Sequence, residues 1–397
     1  DNGMQVRLRR PLDFLVIADH ASNMGVMNGL MTKDIGLLSS PLAREWRLKI
    51  KKINESAGVD VAKSTALSNQ LIGDGFLKDS VAEESYRHSV WKRATLLADK
   101  YNEPGQFTAL IGYEWTQVFN NLHRVVVFKD SAEKASQVIP FSQYDSADPE
   151  ALWAYLQNYE IKTGGEVLAI PHNGNLSEGV MFALEDASGN PLSKMYAETR
   201  SRWEPLYEVT QIKGDSETHP LLSARDEFSD FETLYKNERV QNMAEDAKIS
   251  RKLATYNNWV ESNSRGGGKD WMRTYEYARS SLKLGLQQQS KLGVNPFKFG
   301  MIGSTDSHTS LATADEDNFW GKLAETEPHP KRVTSGWRPA IDSGWPGWRM
   351  NAAGYAAVWS TENTREALFA AMKRKEVYAT TGPRMTVRFF GGWEYEI

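Results

Sequence analysis

The chain repeatedly sets a short apolar run directly before a histidine or a carboxylate. "LDFLVIADH" ends on Asp19-His20, "FTALIGYEW" reaches Glu114, "VLAIPHN" ends on His172-Asn173, and "FGMIGSTDSH" ends on Asp306 and His308. A fifth run, "LYEVTQIKGDSETHP", is followed by Asp215, Glu217 and His219. Nearly continuous apolar runs of this length suit strands that are covered on both faces. Segments with helical patterning separate them. Residues Pro41 to Ser56, Ala82 to Asn102 and Pro149 to Lys162 each read as a helix, with Gly58 and Gly164-Gly165 as stops. A further helix is expected over Thr364 to Arg374, capped by Thr361 or Asn363. Leu122 to Phe128, Val377 to Thr380 and Met385 to Phe390 read as additional strands. Strands that alternate with helices point to a parallel α/β architecture, and in a closed parallel barrel the carboxyl ends of all strands meet at one face.

No solenoid repeat and no linker interrupts the chain, so one domain over residues 1–397 is expected. It carries a helical insertion at about 226–295, broken near Ser264 to Gly268, and a Trp/Gly/Pro-rich loop at about 310–355. That loop contains "SGWRPAIDSGWPGWRM", which suits either an active-site cover or a surface loop packing its own aromatics. The stretch from Gly266 to Lys269 lacks both a preceding strand and full phosphate-loop spacing, and reads as a break between helices.

A formal net charge of −4 and a pI of about 6.1 give no basic stripe for nucleic acid. No apolar run approaches the roughly 20 residues of a membrane span, and no secretory apolar segment is visible. The chain has no cysteine, which excludes disulfides, thiolate ligands and a cysteine nucleophile. Any metal must be held by His, Asp and Glu, which favours Zn, Mn, Fe or Mg. The composition is compatible with either the cytoplasm or a periplasm, and it specifies no oligomeric state. The chain opens at Asp1 without a Met and is in a core strand by Leu12, so a processed or truncated product with sequence upstream is expected.

One Asp-x-His at a strand end carries little weight, since Asp306 could cap a helix and His308 be incidental. Five polar strand ends that use four of the seven histidines are a stronger pattern. Imidazole and carboxylate groups of this kind suit two or three divalent ions. Glu114 is the candidate bridge between ions about 3.5–4 Å apart, and the spacer in Asp306-x-His308 lets each side chain reach a different ion. Metal-bound hydroxide would be the nucleophile, and the ions would neutralise charge on a transferred phosphoryl group. His123 stands at the start of a strand. It returns to the rim only if residues 117–121 turn back as a hairpin. His219, before Pro220, is a ligand, a general acid or a turn residue. With Glu217, His219 and His123 are the catalytic candidates, either histidine protonating the leaving group. Asn173, Lys213 and Arg384 are candidates for contact with a phosphate ester, although a structural ion pair suits Lys213 and Arg384 as well. His88 reads as a helix-surface or packing residue and His329 as a loop residue.

The set Asp19-His20, Glu114, His172 and Asp306-x-His308 resembles the polymerase and histidinol phosphatase (PHP) superfamily. More closely, "LIGYEWT", "NNLHR", "LAIPHNGNLS", "QIKGDSETHP", "GSTDSH" and "YATTGPR" resemble its uncharacterised branch, a domain of unknown function. The likeness covers nearly the whole chain. It implies a distorted seven-stranded β/α barrel, two or three divalent metals at the carboxyl-end face, and phosphoesterase or related hydrolase activity. By motif, His20 would join His308 and Asp306 on one ion. Glu114 would bridge, and His172 with His123 would hold the second. Members of the superfamily open with a His-x-His strand, and this chain has no His-x-His. The resemblance therefore implies a first strand lying upstream or lost, and truncation is favoured because losing a central strand would expose an unpaired edge. A degenerate barrel that binds a ligand or partner through the Trp-rich loop is the alternative.

Overall fold

The computed structural model describes residues 7–57, 80–117, 120–231, 270–309, 313, 318, 336–337, 345–346 and 354–394. The apolar runs form strands, as their composition requires. In the larger sheet, β1 (Phe14–Ile17) pairs in parallel with β2 (Thr108–Gln117). β2 pairs antiparallel with β3 (Leu122–Phe128), and β3 antiparallel with β4 (Val167–His172). A second sheet centres on β5 (Leu206–Gln211), flanked by the antiparallel β6 (Gly214–Asp215) and the parallel β7 (Gly300–Gly303). Two short ribbons complete the strands: β8 (Gly336–Trp337) with β9 (Trp345–Pro346), and β10 (Ala356–Val358) with β11 (Val377–Ala379).

The principal helices are α1 (Val26–Thr32), α2 (Pro41–Ala57), α3 (Glu84–Lys100), α4 (Pro149–Thr163), α5 (Lys194–Trp203), α6 (Ala278–Leu292) and α7 (Arg365–Arg374). The start of α4 is set by Asp148, whose carboxylate accepts from Glu150 N at 2.8 Å, and its end by Gly164 at φ 60°. Thr364 caps α7, its hydroxyl accepting from Ala367 N at 3.2 Å. The expected cap, Asn363, instead donates to Asp13 O and Gln106 O and so ties the strand entrances together.

Strand alternation divides the larger sheet into two faces. Tyr113, Trp115, Val126, Phe128 and Ala169 belong to a core with the helices. Leu110, Val127, Leu168 and Ile170 lie on the opposite face and share a second core with Leu206, Ile302, Phe369 and Met372. This second core joins the two sheets, and its strand rows run up into the polar rim.

The expected α/β class is present as a mixed arrangement of several sheets; among the described residues none of them closes, so the seven-stranded β/α barrel is not shown. A tight β2–β3 connection leaves no room for a crossover helix, so β3 runs antiparallel. β4 lies beside β5, yet the two belong to separate sheets. Met385 to Phe390, expected as a strand, is not one: among the described residues no strand pairs with it, and Phe389 and Phe390 are exposed. Of the helical zone expected at about 226–295, residues 226–231 form turns, Asp270–Tyr275 a short 3-10 helix and Ala278–Leu292 the helix α6. Residues 232–269, most of the Trp-rich loop, the Gly266–Lys269 stretch and His329 lie outside the described residues.

A buried ion cluster fixes the position of β3. Arg124 Nε lies 3.0 Å from Glu204 Oε1, which also accepts from Trp153 Nε1 at 3.0 Å, and Arg200 Nε lies 3.0 Å from Glu204 Oε2. Desolvation acts against ionisation of Glu204, but Arg124 and Arg200 outweigh it and hold the carboxyl below its ordinary range. Replacing Glu204 by Ala strands two buried guanidiniums. Urea unfolding is expected to show a loss of about 3–5 kcal/mol. A loss under about 1 kcal/mol would mean that the two arginines do not depend on this carboxylate.

Candidate metal centre

Strand register brings distant residues to one rim. His123 is the direct cross-strand partner of both Thr116 and His172. Glu114, two residues before Thr116, has the same parity and faces the same side. The chain after β1 stays alongside β2: Glu114 N donates to Asp19 O, Ala21 N donates to Glu114 O, each at 2.8 Å, and His20 bridges to Glu114. The hairpin on which His123 depended is therefore present. Glu114 was expected at a strand end but lies inside β2, because pairing with β3 continues to Gln117.

One carboxylate oxygen is the focus of the cluster. Glu114 Oε1 lies 2.7 Å from His123 Nδ1, 3.2 Å from His20 Nδ1 and 3.7 Å from His172 Nε2, and it accepts from Thr116 Oγ1 at 2.8 Å. The imidazoles form a chain, with ring centroids 5.3 Å apart for His123–His172, 6.0 Å for His20–His123 and 5.7 Å for His20–His308. Ligand atoms of Glu114, His123 and His172 all lie within 4.8 Å of one another, and all three residues are buried. Burial alone would raise the Glu114 carboxyl, but the imidazoles of His20, His123 and His172 hold it well below the ordinary range. Burial pushes His123 down to about 3 despite the pull of Glu114, so its ring is neutral and able to bind a cation.

The donor set fits a divalent ion. His172 Nε2 faces Glu114 Oε1 from beyond hydrogen-bond range, at 3.7 Å, which leaves room for an ion between them. Gln211 Nε2 donates both to Glu208 Oε1 at 3.0 Å and to Asn173 Oδ1 at 2.9 Å, which turns the Asn173 amide nitrogen toward His123 Nδ1 at 3.1 Å. His123 Nδ1 thus lies between this amide nitrogen and Glu114 Oε1, which is 2.7 Å away, and its tautomer sets which of the two it bonds. With its proton on Nε2, the neutral ring presents the Nδ1 lone pair beside the carboxylate, where a cation can be shared.

A second group lies on the other side of the rim. Lys213 Nζ is 2.8 Å from Asp306 Oδ2. His308 Nδ1 is 2.9 Å from Asp306 O and 3.8 Å from Asp306 Oδ1. Asp306 and Asn173 both adopt left-handed backbone conformations, with φ 47° and 64°. Asp and Asn tolerate that region better than other residues, and here it turns the chain off β7 and β4 at the rim.

The expected site residues therefore separate into two groups. His20, Glu114, His123, His172, Asn173, Lys213, Asp306 and His308 come together. Asp19 contributes its backbone carbonyl to the β2 ladder, and its residue is exposed at the mouth of the cavity below. Glu217 is paired with Arg279 at 2.5 Å, and His219 packs against Tyr277 with its Nδ1 accepting from Leu221 N at 3.2 Å. Arg384 holds Asp13 at 2.7 Å and donates to Pro11 O at 2.5 Å. His88 is exposed on α3. Sequence reasoning missed Glu208, Gln211 and Thr116. Glu208 is buried, accepts from Ser304 Oγ at 2.6 Å, and has its carboxyl raised by desolvation.

A cavity of about 780 Å³ opens onto this rim. Asp19, His20, Glu114, His172, Glu208, Asp306, His308 and Arg384 line it, and Val125, Val127, Ile170 and Ile302 form its apolar wall. Neither Glu217 nor His219 lines it. Its size and mixed lining suit a small organic ligand.

The loop after β4, which carries Asn173, is braced from behind by Glu276. Its Oε1 accepts from Gly179 N at 3.1 Å, and burial pushes its carboxyl up to about 7. Between an unfolded value of 4.5 and about 7, the native state holds a proton that the unfolded chain gives up. Stability from this group is thus complete below 4.5 and declines as pH rises through 7. Glu276→Gln keeps the acceptor but cannot ionise. Relative to wild type it should be near neutral at pH 5 and stabilised by on the order of 2 kcal/mol at pH 8 in urea titrations. Parallel pH profiles for the two proteins would contradict this reading.

No curated protein and no solved structure matches the chain. One family model does, over residues 1–397, described as a protein of unknown function (DUF3604). Because that match spans the chain from end to end, the protein belongs to the DUF3604 family.

Proposed function

We propose that this protein is a divalent-metal-dependent hydrolase acting on a small phosphate ester. The observation that carries the reading is the convergence of His123 and His172 on Glu114 Oε1 from neighbouring strands, at 2.7 and 3.7 Å. The likeness of its motifs to the PHP superfamily supports the same chemistry. A divalent ion held by Glu114, His123 and His172 would lower the pKa of a water and neutralise phosphoryl charge. Zn, Mn and Fe suit two imidazoles and a carboxylate better than Mg does.

The chain's own residues supply the rest. His20 and His308 stand at the cavity wall beside the proposed ion, where they can orient a phosphate oxygen or carry a proton. Lys213 and Asn173 lie behind that wall; Lys213 adds positive potential and Asn173 fixes the His123 ring. The apolar wall from Val125 to Ile302 would take the organic part of the ester and exclude water. Glu217 and His219, away from the cavity lining, are not assigned the leaving-group proton here. A metal-free binding role would leave the three imidazoles crowded around one Glu114 oxygen without a purpose.

A panel of aryl and sugar phosphates assayed with Zn, Mn and Mg tests the proposal. Chelation should abolish hydrolysis, and re-adding one of the ions should restore it. Glu114→Gln should lower turnover by more than about 100-fold while circular dichroism stays native. Wild-type turnover in chelator, or in Glu114→Gln, would overturn it.

A further inference from the structure

The Asp306 side of the rim already holds a cation. Lys213 sits in the β5–β6 hairpin, where Gln211 pairs with Gly214 and Gly214 takes φ 97°. Its backbone is fixed at both ends: Lys213 N donates to Gln211 Oε1 at 3.3 Å, and Asn175 Nδ2 donates to Lys213 O at 3.2 Å. The turn thus aims the side chain inward. Its side chain and that of Asp306 are each only 9% exposed, with Nζ and Oδ2 2.8 Å apart.

From this geometry we infer that the centre takes a single divalent ion, at Glu114, His123 and His172, and that the Lys213 ammonium is its second cation, beside Asp306. The inference rests on the reading of those three residues as metal ligands, though not on the identity of the substrate. It departs from the two or three ions that the motifs suggest.

The placement of the charged groups supports it. A second divalent ion bound at Asp306 would have to displace an ammonium already 2.8 Å from Oδ2, and both side chains are so enclosed that the displaced ammonium has little solvent to move into. Among the described residues, no second set of three ligating side chains converges as closely as Glu114, His123 and His172.

Metal stoichiometry reads this directly, without an assay of activity. The chain is stripped with chelator, reloaded with Zn or Mn, and studied by calorimetry and by elemental analysis after dialysis. Wild type should hold one ion per chain. Lys213→Met, close in shape but uncharged, should hold two, with the second at least tenfold tighter than any second ion in wild type. Lys213→Arg should hold one. Two ions of similar affinity in wild type would overturn the assignment of Lys213 while leaving the metal-dependent reading intact. No ion in wild type would overturn both. A folded Lys213→Met that still binds only one ion would also overturn it. The wild-type stoichiometry needs no variant, so the inference stays open to refutation even if Lys213→Met does not fold.

Discussion

The antiparallel register of β2, β3 and β4 is the constraint on which the centre depends. It makes His123 the neighbour of Thr116 and of His172, two positions that are 56 residues apart in the chain yet adjacent across β3. Directly opposed side chains in such a ladder stand about 5 Å apart, close enough to share an ion. A slip of one residue would turn His123 into the helix-facing core and bring Arg124 to the rim. The clamp of Glu204 on Arg124 opposes that slip, because a guanidinium moved to the rim would abandon its buried partner. Register, ion cluster and ligand geometry are thus parts of a single arrangement.

Electrostatics explains why the cluster suits a cation. In a low-dielectric interior, carboxylates repel strongly unless positive charge lies among them. Glu114, Glu208 and Asp306 all face this region, and burial favours neutral imidazole at His123. Lys213 supplies part of the compensation from within the fold. The remainder must come from protons or from an ion, and the ligand atoms around Glu114 are spaced to receive an ion. The cavity opens onto this charge from one side, along an apolar wall.

Much of this was legible in the sequence, for identifiable reasons. The apolar run LHRVVVF is bounded by polar residues, and its strand matches the expected limits. His20, His172, Asp306 and His308 were found because polar groups that follow buried strands gather at one rim. Glu208 lies inside its strand and so stands outside the pattern of polar strand ends. The signal was present in LYEVTQ, where Glu208 and Thr210 alternate with Tyr207 and Val209. Closure of a barrel depends on ladders between distant strands, which local patterning does not encode. Met385 to Phe390 shows the same limit, since β propensity without a partner edge gives no strand.

The central claim is that one divalent ion is coordinated by two imidazoles and the Glu114 carboxylate. X-ray absorption spectroscopy of the zinc-loaded protein tests this most directly. The account predicts a first shell of nitrogen and oxygen near 2.0–2.1 Å, with the outer-shell scattering of two histidine rings, falling to one ring in His172→Ala. A spectrum without imidazole scattering, or one unchanged in His172→Ala, would place the metal elsewhere and contradict the account.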